Sequence, residues 1–221
     1  MRKLIVVLII VMFLPSAVLS QGILNNRDRD GRTPLHLAAI YGNSGISDLF
    51  LEEGINVNAK DNDGRTALHY SGIYGSSRVA KMLLENGAKD VIIDNDGRTP
   101  IHYAAIYGSV KVARLLLENG SNIHITDGDG RQAIHYTAIY GHADVARELL
   151  KKDSYVKVRD NDGRTPLHYA AIYGKPDVAE MLCEEGANVK MQDNDGRTPL
   201  HMASIYGNTD VAKVIRKYYK K

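Results

Sequence analysis

The chain has 221 residues, of which 44 % are hydrophobic and 24 % charged, as in an ordinary globular protein. This composition excludes collagen, a disordered chain and a membrane protein with several spans. The 28 basic residues slightly outnumber the 26 acidic ones, and the excess equals Arg2 and Lys3 at the N-terminus. Without them the chain is formally neutral. Because phosphate binding needs a net basic surface, this balance argues against a nucleic-acid partner.

The first 20 residues have the order of a secretory signal. Arg2 and Lys3 precede the apolar run Leu4–Leu14, Pro15 interrupts it, and small residues follow up to Ser20. As a helix, the run would cover only ~16 Å of a ~30 Å hydrocarbon core. We expect this signal to be cleaved, which makes the protein exported, either periplasmic or secreted. The alternatives are retention as an N-terminal anchor, which alone would bring a membrane association, and a buried core helix.

A seven-residue motif that begins Asp-Gly-Arg recurs six times, every 33 residues. It reads DGRTPLH at Asp30, and closely related versions follow. A fixed internal period predicts one supersecondary unit that is repeated and stacked. The predicted organisation is a signal at 1–20, a lead-in at 21–29, units 1 to 6 at 30–62, 63–95, 96–128, 129–161, 162–194 and 195–217, and a basic tail at 218–221.

Unit 3 shows how each unit would fold. Thr99 is a good helix cap and Pro100 suits the first helical position, so a first helix begins there. Gly108 would end it in a left-handed conformation. A second helix is predicted from about Val110 to Glu118. The Asp- and Gly-rich segment that follows predicts a turn between units.

The 33-residue period and the TPLHxA core resemble the ankyrin repeat from about Asp28 to Lys217. The resemblance implies an all-α fold, a solenoid of stacked helix-turn-helix units with short β-turn or hairpin arms. It also implies a concave surface, formed by first helices and arms, that binds a protein partner. We expect the chain to be monomeric. For the histidine column it implies a structural role, with hydrogen bonds to the turn of the same or the next unit.

Two tyrosine columns are the candidate partner-binding site. The outer tyrosines end the first helices, and the inner tyrosines stand four residues earlier, on the same helix face. The outer column consists of Tyr41, Tyr74, Tyr107, Tyr140, Tyr173 and Tyr206, and the inner column of Tyr70, Tyr103, Tyr136 and Tyr169. We expect the outer rings to be exposed. The inner rings either add to the binding surface or fill the space between first helices.

The turn tips carry a second candidate array, with the pattern Asp-Asn-Asp-Gly-Arg. Tips 1 to 6 are residues 28–32, 61–65, 94–98, 127–131, 160–164 and 193–197, each numbered after the unit whose first helix follows it. Its arginines in the inner units are Arg65, Arg98, Arg131 and Arg164. These arginines either contact a charged partner or compensate the tip aspartates along the solenoid.

No catalytic motif is present, and we expect no enzyme activity, no cofactor and no metal site. The column of six histidines does not predict a metal site, because packed helices lie ~8–10 Å apart and a metal bonds nitrogen at ~2 Å. The single cysteine, Cys183, excludes an intramolecular disulfide. Its helical position predicts a small core residue rather than a nucleophile.

Departures from the motif predict where the stack is weak. Gly72 replaces a helical alanine in unit 2, at a cost of ~1 kcal/mol. Unit 4 has Gln132 and Ala133 in place of Thr-Pro, and Asp153 where glycine would end its second helix. We therefore expect unit 4 to be the weakest.

The near-identity of the units leaves the class of partner open. It indicates either a repetitive ligand or a recent duplication. A repeating envelope or extracellular glycan, bound on evenly spaced aromatic rings, and an anchored structural spacer are therefore the alternatives to a protein partner.

Overall fold

The computed structural model describes residue 24, residues 26–152 and residues 156–219. The predicted signal and Asp153 lie outside the described residues. The structure is all-α within this part of the chain, as predicted, and the tips are turns rather than strands. The twelve helices are α1 (Pro34–Tyr41), α2 (Ser44–Glu52), α3 (Ala67–Tyr74), α4 (Ser77–Glu85), α5 (Pro100–Tyr107), α6 (Val110–Glu118), α7 (Ala133–Tyr140), α8 (Ala143–Lys152), α9 (Pro166–Ile172), α10 (Pro176–Glu184), α11 (Pro199–Ile205) and α12 (Thr209–Tyr218).

The ends of the helices follow the local sequence signals. In unit 3, α5 starts at Pro100 behind the extended N-cap Thr99. It ends at Gly108, whose φ of +69° is the left-handed conformation that glycine tolerates best. The second helix, α6, has the predicted bounds Val110–Glu118. The capping box at each first helix uses histidine at its third position, where Glu or Gln is usual.

Odd-numbered first helices pack on each other along the stack, and even-numbered second helices form a parallel row behind them. The core lies between the two rows. In unit 3, Ile101 and Ala104 from α5 and Val112 and Leu116 from α6 are almost completely buried. Because each helix pair has a neighbour on one or both sides, the apolar faces form one continuous core. None of the helices in the described ranges combines the length and apolar character needed to cross a membrane.

Gly72 has a packing role that the sequence did not reveal. A Cβ atom at this position would lie 2.8 Å from the carbonyl oxygen of Pro100 and 3.2 Å from the amide nitrogen of Ala104. Glycine therefore permits a close approach of α3 to α5. The expected propensity cost remains, but alanine would require the two helices to move apart.

Candidate functional site: the tyrosine columns and the turn tips

The outer tyrosines are exposed in all six units, as predicted. Each side chain leaves between 49 % and 62 % of its surface accessible to solvent. They stand at the last residue of the first helix, or at its C-cap in units 5 and 6. The six rings therefore occupy equivalent positions along the row of first helices.

The inner tyrosines are buried, so of the two interpretations they fill the space between first helices and do not add exposed area to the binding surface. Tyr70, Tyr103, Tyr136 and Tyr169 are only 2 % to 6 % exposed. The preceding first helix and the tip of the same unit cover them, as His69 and Asp94 do for Tyr103. Their hydroxyl groups donate hydrogen bonds to buried tip aspartates, as from Tyr70 to Asp61 at 2.7 Å. Burial and the Asp94 carboxylate, which accepts the hydrogen bond of its hydroxyl, raise the pKa of Tyr103 to about 12.

Each buried inner ring supports the exposed outer ring four residues later. The centroids of Tyr103 and Tyr107 are 6.4 Å apart and their planes differ by 19°, an offset stack. The other three pairs have the same arrangement. Six half-exposed tyrosine rings offer on the order of 600 Å². This approaches the ~800 Å² that one partner contributes to a standard protein interface.

The tip arginines bridge consecutive units through the inner tyrosines. Arg65 Nε donates to the Tyr103 hydroxyl at 3.1 Å, and this hydroxyl donates to Asp94 at 2.5 Å. The Arg65 guanidinium also lies 5.2 Å from the centroid of the Tyr103 ring, a cation–π contact. Arg98 and Arg131 form the same Arg–Tyr–Asp bridge with the following unit.

The Nη1 atom of each of these arginines forms an ion pair with the second aspartate of the same tip. Arg65 Nη1 lies 3.1 Å from the exposed carboxylate of Asp63, and Arg98 is paired with Asp96 in the same way. About a quarter of each arginine side chain is exposed. The geometry therefore favours the second interpretation of the array, in which tip arginines compensate aspartates along the stack.

Arg164 is the exception. In unit 6 Met202 occupies the position of the inner tyrosine, so no hydroxyl is present to accept a hydrogen bond from Arg164 Nε. Its Nε atom is buried without a hydrogen-bond partner and lies 4.0 Å from Asp193. Asp193 pairs instead with Arg197 of its own tip, at 3.1 Å. In unit 1, where Leu37 replaces the tyrosine, Asp28 likewise pairs with its own arginine. The first aspartate of a tip therefore pairs with the arginine of the same tip only in units that lack the inner tyrosine.

Replacing Met202 with tyrosine should stabilise the last junction. The new hydroxyl can donate to Asp193 and accept from Arg164 Nε, which satisfies a buried donor. We expect the free energy of unfolding to rise by about 1–2 kcal/mol in chemical denaturation. Met202→Phe is the matched control, since it adds the ring without the hydroxyl. Equal stability of the two variants would contradict the assignment.

The histidine column is structural, as the resemblance implied. His102 Nδ1 accepts the backbone N–H of Thr99 at 3.1 Å, so its proton is on Nε2, which lies 3.2 Å from the Arg131 carbonyl of the next unit. Four other units repeat both contacts. Burial lowers the pKa of His69 and His135 to about 4.

A third inter-unit contact was not anticipated. In units 2, 4 and 6 the residue that follows the capping glycine of the first helix reaches back to a carbonyl of the preceding first helix. Ser76 Oγ donates to Ala39 at 2.7 Å, and Asn208 Nδ2 donates to Ala171 at 2.8 Å. The residue type at this position varies between units, which hides the contact in the sequence, although a polar residue at a fixed position is a usable signal.

The remaining sequence expectations concern chemistry. Cys183 is buried in the core, as predicted, and burial raises the pKa of its thiol to about 12. Such a thiol has little nucleophilic thiolate near neutral pH. Within the described ranges, no group of three or more His, Cys, Asp and Glu side chains is arranged to hold a metal ion.

Comparison with known proteins identifies the family of this chain. A family model described as ankyrin repeats, three copies, matches residues 9–94, 62–127, 119–193 and 160–221. No curated protein matches the chain. The model covers nearly the whole sequence, and the helix pairs, histidine caps and turn tips agree with it. The chain therefore belongs to the ankyrin repeat family.

Proposed function

We propose that this protein is an exported, non-catalytic module that binds a protein partner through the outer tyrosines. Ankyrin repeats generally serve protein–protein interaction, and we assign this role to one surface. The tyrosine face, as we call it, consists of Tyr41, Tyr74, Tyr107, Tyr140, Tyr173 and Tyr206. The tip arginines border it. Export is proposed from the order of charged, apolar and small residues at the N-terminus.

One observation carries the proposal, namely six half-exposed tyrosines in equivalent positions. Four of them are stacked on a buried inner ring whose hydroxyl is fixed by a carboxylate. A side chain held in this way loses little conformational entropy on binding. Tyrosine is also enriched among residues that dominate interface energies, because it offers a large apolar area with a polar end.

Replacing Tyr107 and Tyr140 together with alanine should abolish capture of the partner. Both rings are removed from the middle of the face, where truncation of an interface anchor costs most. Affinity capture from the native host by the parent and by this double variant is the measurement. We expect one protein to be retained by the parent only, with binding weakened at least 100-fold in the variant.

The matched control is Lys81→Ala with Lys111→Ala, which truncates two exposed side chains on second helices. This pair should bind like the parent, and circular dichroism should show that all three proteins fold alike. Equal capture by the tyrosine variant and the parent would contradict the proposal. Retention of the parent on insoluble cell-wall polymer, lost in the tyrosine variant, would indicate the glycan alternative instead.

A further inference from the structure

The tips of neighbouring units are joined by two side-chain donors. First, the asparagine of one tip donates its amide to a backbone carbonyl of the preceding tip, as from Asn95 to Asn62 at 3.0 Å. Second, a cation just before one tip donates to the carbonyl 33 residues later, as from Lys60 to Ile93 at 2.8 Å. The other amide bonds start at Asn62, Asn161 and Asn194, and the other cation bonds at Arg27 and Arg159.

The junction between units 3 and 4 lacks both donors. Ile93 occupies the position of Lys60, and Gly128 occupies the position of Asn95. The backbone bond from Gly128 N to Asp96 O, at 3.0 Å, is kept, so the two tips stay in register. The carbonyls of Asn95 and Thr126 are therefore without the side-chain donors that serve their counterparts. Among the junctions of the described residues, the other four keep at least the amide.

A cleft opens at this place. It has a volume of about 610 Å³ and lies between the tips of units 3 and 4. A Cβ atom at Gly128 would meet nothing closer than Asp96 O at 3.6 Å, so the missing asparagine would fit there. The cleft is wide enough for a side chain from another polypeptide, because the side chains that fill this place elsewhere are absent.

The charge of the cleft indicates which chemical group it can bind. Its lining includes Asp94, Asp96, Asp127 and Asp129, of which Asp96 and Asp129 have exposed carboxylates, and one cation, Arg98. At three of the other junctions a bridging Arg or Lys adds one positive charge beside the equivalent carboxylates, and here that charge is missing. At one edge Ile93 leaves 46 % of its surface exposed, beside the exposed Val91. A suitable group therefore has a positive charge, several N–H donors and an apolar stem.

We propose that this cleft, formed by tips 3 and 4, binds an arginine side chain of a partner polypeptide. The guanidinium carries five N–H donors, enough for the Asn95 and Thr126 carbonyls and an exposed carboxylate. Its aliphatic stem packs on Ile93. The partner's guanidinium thus donates the hydrogen bonds that Lys60 and Asn95 donate to carbonyls at the preceding junction. The site is separate from the tyrosine face, so its failure and that of the proposed function are distinguishable.

The first test uses a blocked peptide, acetyl-Leu-Arg-Leu-amide, added to the ¹⁵N-labelled full chain and followed by NMR. We expect saturable shifts of the Gly97 and Gly128 amides. The same peptide with citrulline, which keeps the shape but not the charge, should bind at least tenfold more weakly. Equal affinity of the two peptides, or absence of saturable shifts at the tips of units 3 and 4, would overturn the proposal.

The second test restores the sister pattern with Ile93→Lys and Gly128→Asn. The two new side chains should satisfy both carbonyls, raise the midpoint of thermal unfolding and weaken arginine-peptide binding at least tenfold. Gln192→Lys is the matched control, since it adds the same charge at the equivalent position before tip 6 and should leave binding unchanged. Gly128→Asn alone should give an intermediate loss. Parent-like binding by the double variant would also overturn the proposal.

The tyrosine variant separates this site from the proposed function. The chain with Tyr107→Ala and Tyr140→Ala should bind the arginine peptide like the parent, because the cleft lies at the tips. Loss of peptide binding in this variant would place the peptide on the tyrosine face and contradict a site at the tips.

Discussion

Lowering the pH from 7 to 4.5 should reduce the free energy of unfolding by at least about 5 kcal/mol, largely through the buried histidines. In the folded chain Nδ1 of each accepts a backbone N–H, so the ring must stay neutral. Burial lowers the pKa of His69 and His135 to about 4, whereas an unfolded histidine titrates near 6.5. Burial also lowers the pKa of His36, His102 and His168.

The sign follows from proton binding. Between pH 6.5 and 4 the unfolded chain binds a proton at each histidine that the folded chain does not, so stability falls as the pH falls. The contribution is fully present above pH 6.5. For His69 and His135 the loss is about 2.5 kcal/mol each at pH 4.5. Urea denaturation at several pH values between 7 and 4.5 measures it.

A histidine variant isolates one such group. His69→Gln keeps a polar side chain but cannot titrate, so the slope of stability against pH should fall by about 1.4 kcal/mol per pH unit between pH 6 and 4.5. This readout holds even if the variant is less stable at pH 7. A flat profile for the parent over this range would show that the folded histidines are not held neutral.

Replacing Asp94 with alanine should cost about 3 kcal/mol, the largest effect that we expect from a single tip residue. Its Oδ1 accepts the backbone N–H groups of Asp96 and Arg98, at 3.0 and 2.8 Å. Its Oδ2 accepts the Tyr103 hydroxyl and lies 3.6 Å from Arg65 Nε. Alanine would leave buried donors unpaired in two units at once.

Asp96 is the matched control because it lies in the same tip and pairs with Arg98 but is exposed to solvent. Asp96→Ala should cost less than about 0.5 kcal/mol. Asp94→Asn should fall between the two, since it keeps an acceptor for the backbone but loses the charge that faces Arg65. Thermal and urea unfolding of the three variants measure the differences. Equal losses for Asp94→Ala and Asp96→Ala would show that the bridge does not stabilise the junction.

The sequence alone predicted the helices of unit 3 because their ends are local. Thr99 with Pro100 starts α5, Gly108 ends it, and the apolar spacing of Val110–Glu118 sets α6. The 33-residue period likewise predicted stacking, since one helix pair cannot bury both faces. The interpretation of the histidines as structural came from the family resemblance.

The sequence predicted that the outer rings are exposed, but only the tertiary structure decided that the inner rings are buried. Tyr103 and Tyr107 share one helix face, so helical spacing alone cannot tell which ring the preceding unit covers. The partners of Tyr103 are Arg65, which is 38 residues away, and Asp94, whose carboxylate is set by the turn. Inter-unit packing thus made the inner column a support and left the outer column exposed.

The junction between units 3 and 4 shows the same division. The weakness of unit 4, predicted from Gln132, Ala133 and Asp153, stays a prediction, although Gln132 N donates to His135 Nδ1 at 3.0 Å as in the other caps. The structure adds a gap at Gly128 and Ile93. Neither residue by itself signals a gap in the sequence. The gap exists because the bridging cation and the tip asparagine are both absent at the same junction. The sequence by itself determined the repeated unit and its helices, whereas contacts between units, which join residues about 33 positions apart, decided which side chains are buried and where the cleft lies.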